Sequence, residues 1–338
     1  MPMEIAKPRY TELPPRASRT IAELADASGR VAALMRQLGS VQARPADADR
    51  ATKVFDSVSF THRLVDAPAD YTRIPWHYVE CGAGEPIVFL HGLPDSWFLW
   101  HHQMASLSAT HRCIAIDLKG YGQSYKGLGD YTQEGTAEQI VAMLEEVGIT
   151  RFNLVSHDRG TAQADFIVAN HPDRVLRYGR GEQLLYHFNP QLAAHDDMVL
   201  NAPYTGTLAD PARFVASAYA SLTVKPVPDE ELRRIVQEFS YPGIDRAVPR
   251  YYAAGSKEQE WLARRSRLLS AWTSPVLLIQ GYDSKTQPRE FYEDARAYIP
   301  NAAAVEVRLV PGGHYWTHES PNDTTAALHH LLAMPSGA

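Results

Sequence analysis

A short apolar run, Phe152-Asn153-Leu154-Val155, passes through Ser156-His157-Asp158-Arg159-Gly160 straight into a helical stretch from Thr161 to about Asn170. A buried strand that enters a helix through x-Asp-x-Gly requires a sharp, strained turn. Such a turn lifts its apex residue above the sheet, beside a helix N-terminus where N–H groups and the dipole favour an anion. The apex residue is Asp158, a candidate nucleophile, and Ser156, two positions earlier, points elsewhere. An aspartate here can also serve only as a helix N-cap. The turn therefore needs supporting residues before it carries chemistry.

From about residue 56 onward, strand-like and helix-like stretches alternate. Ile74–Glu80 alternates like a strand, and Pro86–Leu90, Arg112–Asp117, Phe152–Val155, Pro275–Gln280 and Ala304–Val310 are short apolar runs. Gln133–Val147 and Asp323–Leu332 have helical periodicity. This order predicts an α/β fold with a mostly parallel sheet covered on both faces. The alternation lapses between 183 and 269, a segment rich in Tyr, Pro and Arg that reads as an insertion of helices and loops. Residues 56–182 and 270–338 then form one core. With 338 residues, 45% of them hydrophobic, the chain has enough apolar side chain for a core of that size.

Residues 1–55 read as an extension with one amphipathic helix. Ile21, Leu24, Val31, Leu34, Met35 and Leu38 recur at helical spacing after the cap candidates Ser18 and Thr20, and Ala43–Asp49 follows as a linker. That helix needs a partner surface on the body or on a second subunit, which leaves a homo-oligomer open. The net charge of −6 is spread along the chain with no basic block, so nucleic acid is not an expected partner. No apolar run approaches the ~18 residues that span a bilayer, and the polar, proline-rich start has no signal-peptide core. A cytoplasmic enzyme acting on a small molecule is the expectation, without a membrane. Cys81 and Cys113 match no metal or redox spacing and read as buried thiols.

Two further loops support the Asp158 turn. His91-Gly92-Leu93-Pro94-Asp95-Ser96-Trp97 follows the strand ending at Leu90, where a loop of this type sets a backbone N–H beside the nucleophile. The N–H groups of Leu93 and Arg159 would form the oxyanion pair. Gly312-Gly313-His314 follows the last strand, from which His314 can reach over the sheet. The chain has 14 histidines, so position singles this one out.

Taken together, HGLPDSWFLWHHQM, DLKGYGQSYKG, SHDRG and PGGHYW resemble the α/β-hydrolase superfamily. The resemblance is to its aspartate-nucleophile branch of epoxide hydrolases and haloalkane dehalogenases, and most closely to the epoxide hydrolases. It covers roughly residues 75–180 and 270–330, and it implies that the insertion at 183–269 is the lid such enzymes carry. It implies that Asp158 attacks an electrophilic carbon to form an ester, and that His314 activates the water that hydrolyses it. No cofactor is implied. An acid must orient His314, and the resemblance offers two: Asp283, after the strand Pro275–Gln280, and Glu182, after Val175–Gly181. Asp283 is favoured, although many relatives carry the acid one residue later, where this chain has Ser284.

Lid tyrosines would protonate an opening oxirane, and Tyr252 and Tyr219 are the candidates, with Tyr251 as an alternative to Tyr252. Other lid tyrosines, Tyr186, Tyr204 and Tyr241, read as packing. The runner-up activity is dehalogenation of a 2-halo acid or another organic halide. Against it, Leu93 and Arg159 stand where many haloalkane dehalogenases have Asn and Trp halide donors. Ala162 also falls where haloacetate dehalogenases carry a second arginine. Arg159 reads equally as a structural ion-pair member or a substrate contact. A non-catalytic binder built on the same fold is the third reading, opposed by the retention of nucleophile, histidine and acid.

Overall fold

The computed structural model describes residues 21–42, 52–55, 57–189, 192–255 and 257–336. The cap candidates Ser18 and Thr20 and the linker Ala43–Asp49 lie outside these residues.

Nine strands form one sheet: β1 (Thr52–Phe55), β2 (Val58–Ala69), β3 (Thr72–Cys81), β4 (Glu85–Leu90), β5 (His111–Ile116), β6 (Phe152–His157), β7 (Val175–Gly181), β8 (Val276–Gly281) and β9 (Val305–Val310). Their order is β1-β2-β3-β5-β4-β6-β7-β8-β9. The first three strands and the β3–β5 pairing are antiparallel, and every pairing from β5 through β4 to β9 is parallel. Parallel strands need crossovers, which helices supply. Here these are α2 (His101–Leu107), α3 (Gln133–Glu146) and α4 (Arg159–Asn170), with α11 (Ala295–Tyr298), α12 (Trp316–Glu319) and α13 (Pro321–Ala333) near the C-terminus. Helices α3 and α4 pack together over β2, β4, β6 and β7, while α2 and α13 pack together over β5, β7, β8 and β9. Strands β6 and β8 are buried at every residue, which is why their sequences are continuous apolar runs. Each fully buried Leu, Ile or Val there contributes ~1.5–3 kcal/mol.

The long β2–β3 hairpin has no counterpart in the sequence reading for β2. Its residues mix apolar and charged types, and its turn, Asp70-Tyr71, lacks the Asn-Gly signal of tight hairpins. Asp70 takes the positive φ of 51° that such a turn demands. Cys81 and Cys113 face each other across the β3–β5 register as buried free thiols.

Between β7 and β8 lie α5 (Ala193–Leu200), α6 (Ala202–Thr205), α7 (Pro211–Leu222), α8 (Asp229–Glu238), α9 (Ile244–Ala253) and α10 (Lys257–Ala263). A π-helical turn, Arg264–Leu268, closes the insertion. The helix of the extension, α1 (Ile21–Leu38), lies against α7 and α8, with Leu38 buried and the Gln37 carbonyl accepting from Arg233 (2.8 Å). The insertion thus supplies the surface that the apolar face of α1 requires. No helix among the described residues is long and apolar enough to cross a membrane.

Candidate active site

Asp158 sits between the end of β6 and the start of α4 with φ 49° and ψ −121°. A non-glycine residue seldom holds that conformation unless its surroundings enforce it. Two glycines do so by allowing close approach. A Cβ on Gly160 would come within 2.4 Å of the His91 carbonyl oxygen, so only glycine lets α4 start against the end of β4. A Cβ on Gly92 would lie 2.5 Å from Asp158 Oδ1, so the loop after β4 rests directly on the carboxylate. In that contact the Leu93 N–H donates to Asp158 Oδ1 at 3.0 Å. The Arg159 N–H, at the first position of α4, has no acceptor within its own helix. Ser156 points the other way, hydrogen-bonded to Thr161 (3.0 Å) and to the Tyr178 hydroxyl (3.2 Å).

His314, in the loop after β9, places Nε2 3.7 Å from Asp158 Oδ2 and Nδ1 3.0 Å from Glu182 Oε2. Its own N–H donates to the Leu222 carbonyl at the end of α7, which ties the loop to the lid. Burial, and then the neighbouring His314, push the His157 ring down to about 4, so it is neutral and donates Nε2–H to the His314 carbonyl (2.7 Å). Three separate contacts therefore fix one imidazole.

The carboxylate that the structure brings to His314 is that of Glu182 and not that of the favoured Asp283. Asp283 is exposed, and its backbone N–H donates to the Gly312 carbonyl. Glu182 is 1% exposed and directly follows β7 with φ 52°. Its Oε1 accepts from Gln280 Nε2 (2.7 Å) and the Gly281 N–H (2.9 Å). Its Oε2 accepts from Ser284 (2.7 Å) and Thr286 (3.2 Å) besides His314. A buried carboxylate needs such a full set of donors. The position one residue beyond Asp283 is buried, but it holds Ser284, whose hydroxyl donates to Glu182.

A sequence profile described as "alpha/beta hydrolase fold" matches residues 85–321. The chain belongs to the α/β-hydrolase family. It is 31% identical over 199 residues to a haloalkane dehalogenase of Agrobacterium fabrum (strain C58 / ATCC 33970), covering 55% of this chain and 62% of that one. That alignment spans less than two thirds of the relative. A fluoroacetate dehalogenase of Burkholderia sp is 26% identical over 297 residues, 81% of this chain and 94% of the relative. The solved structure of epoxide hydrolase CorEH without ligand superposes with a TM-score of 0.68 at 23% identity, over 81% of this chain and 99% of that one. At that identity the likeness establishes a shared fold.

In this α/β hydrolase, Arg159 is ion-paired with the inserted segment. Its two terminal nitrogens each donate to Glu260 of α10 at 3.1 Å. Burial works against the Arg159 charge, but the Glu260 carboxylate outweighs it and raises the guanidinium pKa. The network continues through Arg264, which lies 3.8 Å from Glu260 and bonds Asp165 (2.6 Å), to Arg180 on β7. It joins the residue after Asp158, the inserted helices and the sheet through buried charges. We expect Glu260→Gln to lower stability in urea titrations by about 3–5 kcal/mol, because a buried guanidinium loses its counter-charge.

The tyrosines divide clearly. The Tyr219 hydroxyl donates to Asp95 Oδ2 (2.9 Å), and its ring stacks on Tyr315 at 4.1 Å. Asp95 therefore takes the hydroxyl proton of Tyr219, the residue expected to serve an opening oxirane. The Tyr251 hydroxyl is engaged by the Lys119 carbonyl (2.8 Å). Tyr252 is buried on α9 with the Arg159 guanidinium 4.7 Å over its ring. Burial raises its pKa well above 10, against the pull of Arg159 and with the Asp158 charge adding to the rise, so it stays protonated. Tyr121, in the loop after β5, was missed as an individual site residue in the sequence. Its hydroxyl is buried with no hydrogen-bond partner among the described residues, and it interacts electrostatically with Tyr252, Arg159 and Asp158. Its only sequence signal is its place in DLKGYGQSYKG.

Proposed function

We propose that this α/β hydrolase opens an epoxide to a diol through an ester on Asp158. The observation that carries the reading is a carboxylate at the elbow beside His314, with two buried, protonated tyrosines, Tyr252 and Tyr121, near enough to feel its charge. Asp158 attacks a ring carbon, the C–O bond breaks, and the leaving oxygen takes a tyrosine proton. His314 then removes a proton from water, and the resulting hydroxide adds to the acyl carbon of the ester. The Leu93 and Arg159 N–H groups hold the tetrahedral oxyanion until it collapses to free Asp158 and diol, and the proton held by His314 then returns to the tyrosinate. Glu182 supports the imidazolium formed in this step. A soluble setting and a small-molecule substrate complete the proposal.

The near full-length likeness to a fluoroacetate dehalogenase favours a second reading, hydrolysis of a 2-halo acid. Against that reading, both terminal nitrogens of Arg159 already bind Glu260, and Ala162 offers no second cation. A panel of epoxides and 2-halo acids, assayed for diol and for halide, separates the two. Diol with no halide is the expected result, and halide from the acids with no diol would replace the epoxide reading. With an epoxide substrate, Tyr252→Phe and Tyr121→Phe each slow alkylation by ~10² or more. Tyr219→Phe stays within about tenfold of wild type, because that hydroxyl serves Asp95. Stopped-flow rates of ester formation check all three variants.

A further inference from the structure

Away from Asp158, three ligand-type side chains converge where the core meets the lid. His101 and His102 open α2 in the core, and Glu231 comes from α8 in the lid. One nitrogen or oxygen of each lies within 4.8 Å of the other two. We infer that His101, His102 and Glu231 form a site for one divalent transition-metal cation of the zinc type, which clasps α8 of the lid to α2 of the core.

Two imidazoles and a carboxylate suit zinc and its neighbours, and fit neither calcium nor magnesium. The contacts around the three groups are those that orient metal ligands. The His101 Nδ1–H is donated to the Phe98 carbonyl (2.7 Å), which leaves the ring's lone pair on Nε2. His102 Nε2 stands 2.9 Å from Glu231 Oε1, a spacing that two ligands of one ion can share. The other Glu231 oxygen is held by His318 Nδ1 (2.8 Å), a contact of the kind that fixes a carboxylate ligand in place. A surface recess of about 520 Å³, lined in part by His102, Ser106 and Asn322, borders the cluster on the His102 side.

The clasp also connects to the reaction centre. His318 Nε2 lies 3.6 Å from Asp95, in the loop that presents the Leu93 N–H, and Asp95 takes the Tyr219 hydroxyl. An ion on Glu231 would therefore steady the lid and the oxyanion loop together, at a distance from the substrate.

The test uses the full chain without an affinity tag, stripped by chelator and titrated with Co²⁺. We expect a visible ligand-field band that saturates at one equivalent and is displaced by Zn²⁺. Affinity should fall at least about a hundred-fold in His102→Ala and Glu231→Gln, and hold in His171→Ala, a control at a different ion pair. Saturating Zn²⁺ should raise the melting temperature of wild type and not of Glu231→Gln. If a variant does not fold, zinc-edge X-ray absorption on wild type decides, with two imidazole ligands expected. No cobalt band, a band unchanged in both variants, or fewer than two imidazoles on zinc would each overturn the site.

Discussion

Asp158→Ala should abolish turnover, with a loss on the order of 10⁴ or more, whereas Ser156→Ala should keep at least about a tenth of the wild-type rate. Both side chains lie at the end of β6, but only one meets His314. Asp158 Oδ1 takes the Leu93 N–H and Oδ2 faces His314, while Ser156 is hydrogen-bonded to Thr161 and Tyr178 beneath the turn. The two variants carry the same type of truncation two residues apart, so a general loss of stability would affect both. Steady-state rates, with circular dichroism to verify folding, make the comparison. A dead Ser156 variant beside an active Asp158 variant would turn the chemistry into that of a serine hydrolase.

Glu182→Gln should cost turnover on the order of 10⁴, and Asp283→Asn should stay within about threefold of wild type. The amide keeps the shape of Glu182 but cannot stabilise an imidazolium, and it presents N–H groups to Ser284 or His314 where oxygen now accepts. The loss should fall on hydrolysis of the ester rather than on its formation, because the imidazole acts in the second step. Pre-steady-state kinetics resolve this as a burst followed by a slow phase. Equal losses in both variants would mean that Glu182 has no privileged link to His314.

These two cases also show where sequence is legible and where it is not. The elbow was readable because strand, apex and helix start occupy contiguous residues, and the sterics of Gly160 act within that same stretch. The loops at Leu93 and His314 were readable because each follows a buried apolar strand directly. The acid was not readable, since β7 and β8 are neighbours whose ends both open toward His314. A carboxylate after either strand satisfies the pattern, and only packing reveals that Ser284 turns inward while Asp283 turns to solvent. The lid tyrosines were harder still. Successive residues on α9 point in different directions, so Tyr251 reaches the Lys119 carbonyl and Tyr252 reaches Arg159. The pairing of Arg159 with Glu260 joins residues 101 positions apart, and nothing local marks either as the other's partner.

The covalent ester on Asp158 is tested most directly by a single turnover in ¹⁸O-water with enzyme in excess over epoxide, followed by mass spectrometry of product and protein. Solvent oxygen should enter the carboxylate when the ester is hydrolysed, so the first product is mostly unlabelled and the peptide bearing Asp158 carries the label. In His314→Gln the same experiment should stop at the ester, with that peptide heavier by the mass of the epoxide. Heavy oxygen in the first diol, with no label on Asp158 and no adduct in the His314 variant, would contradict a carboxylate nucleophile and require direct attack by water.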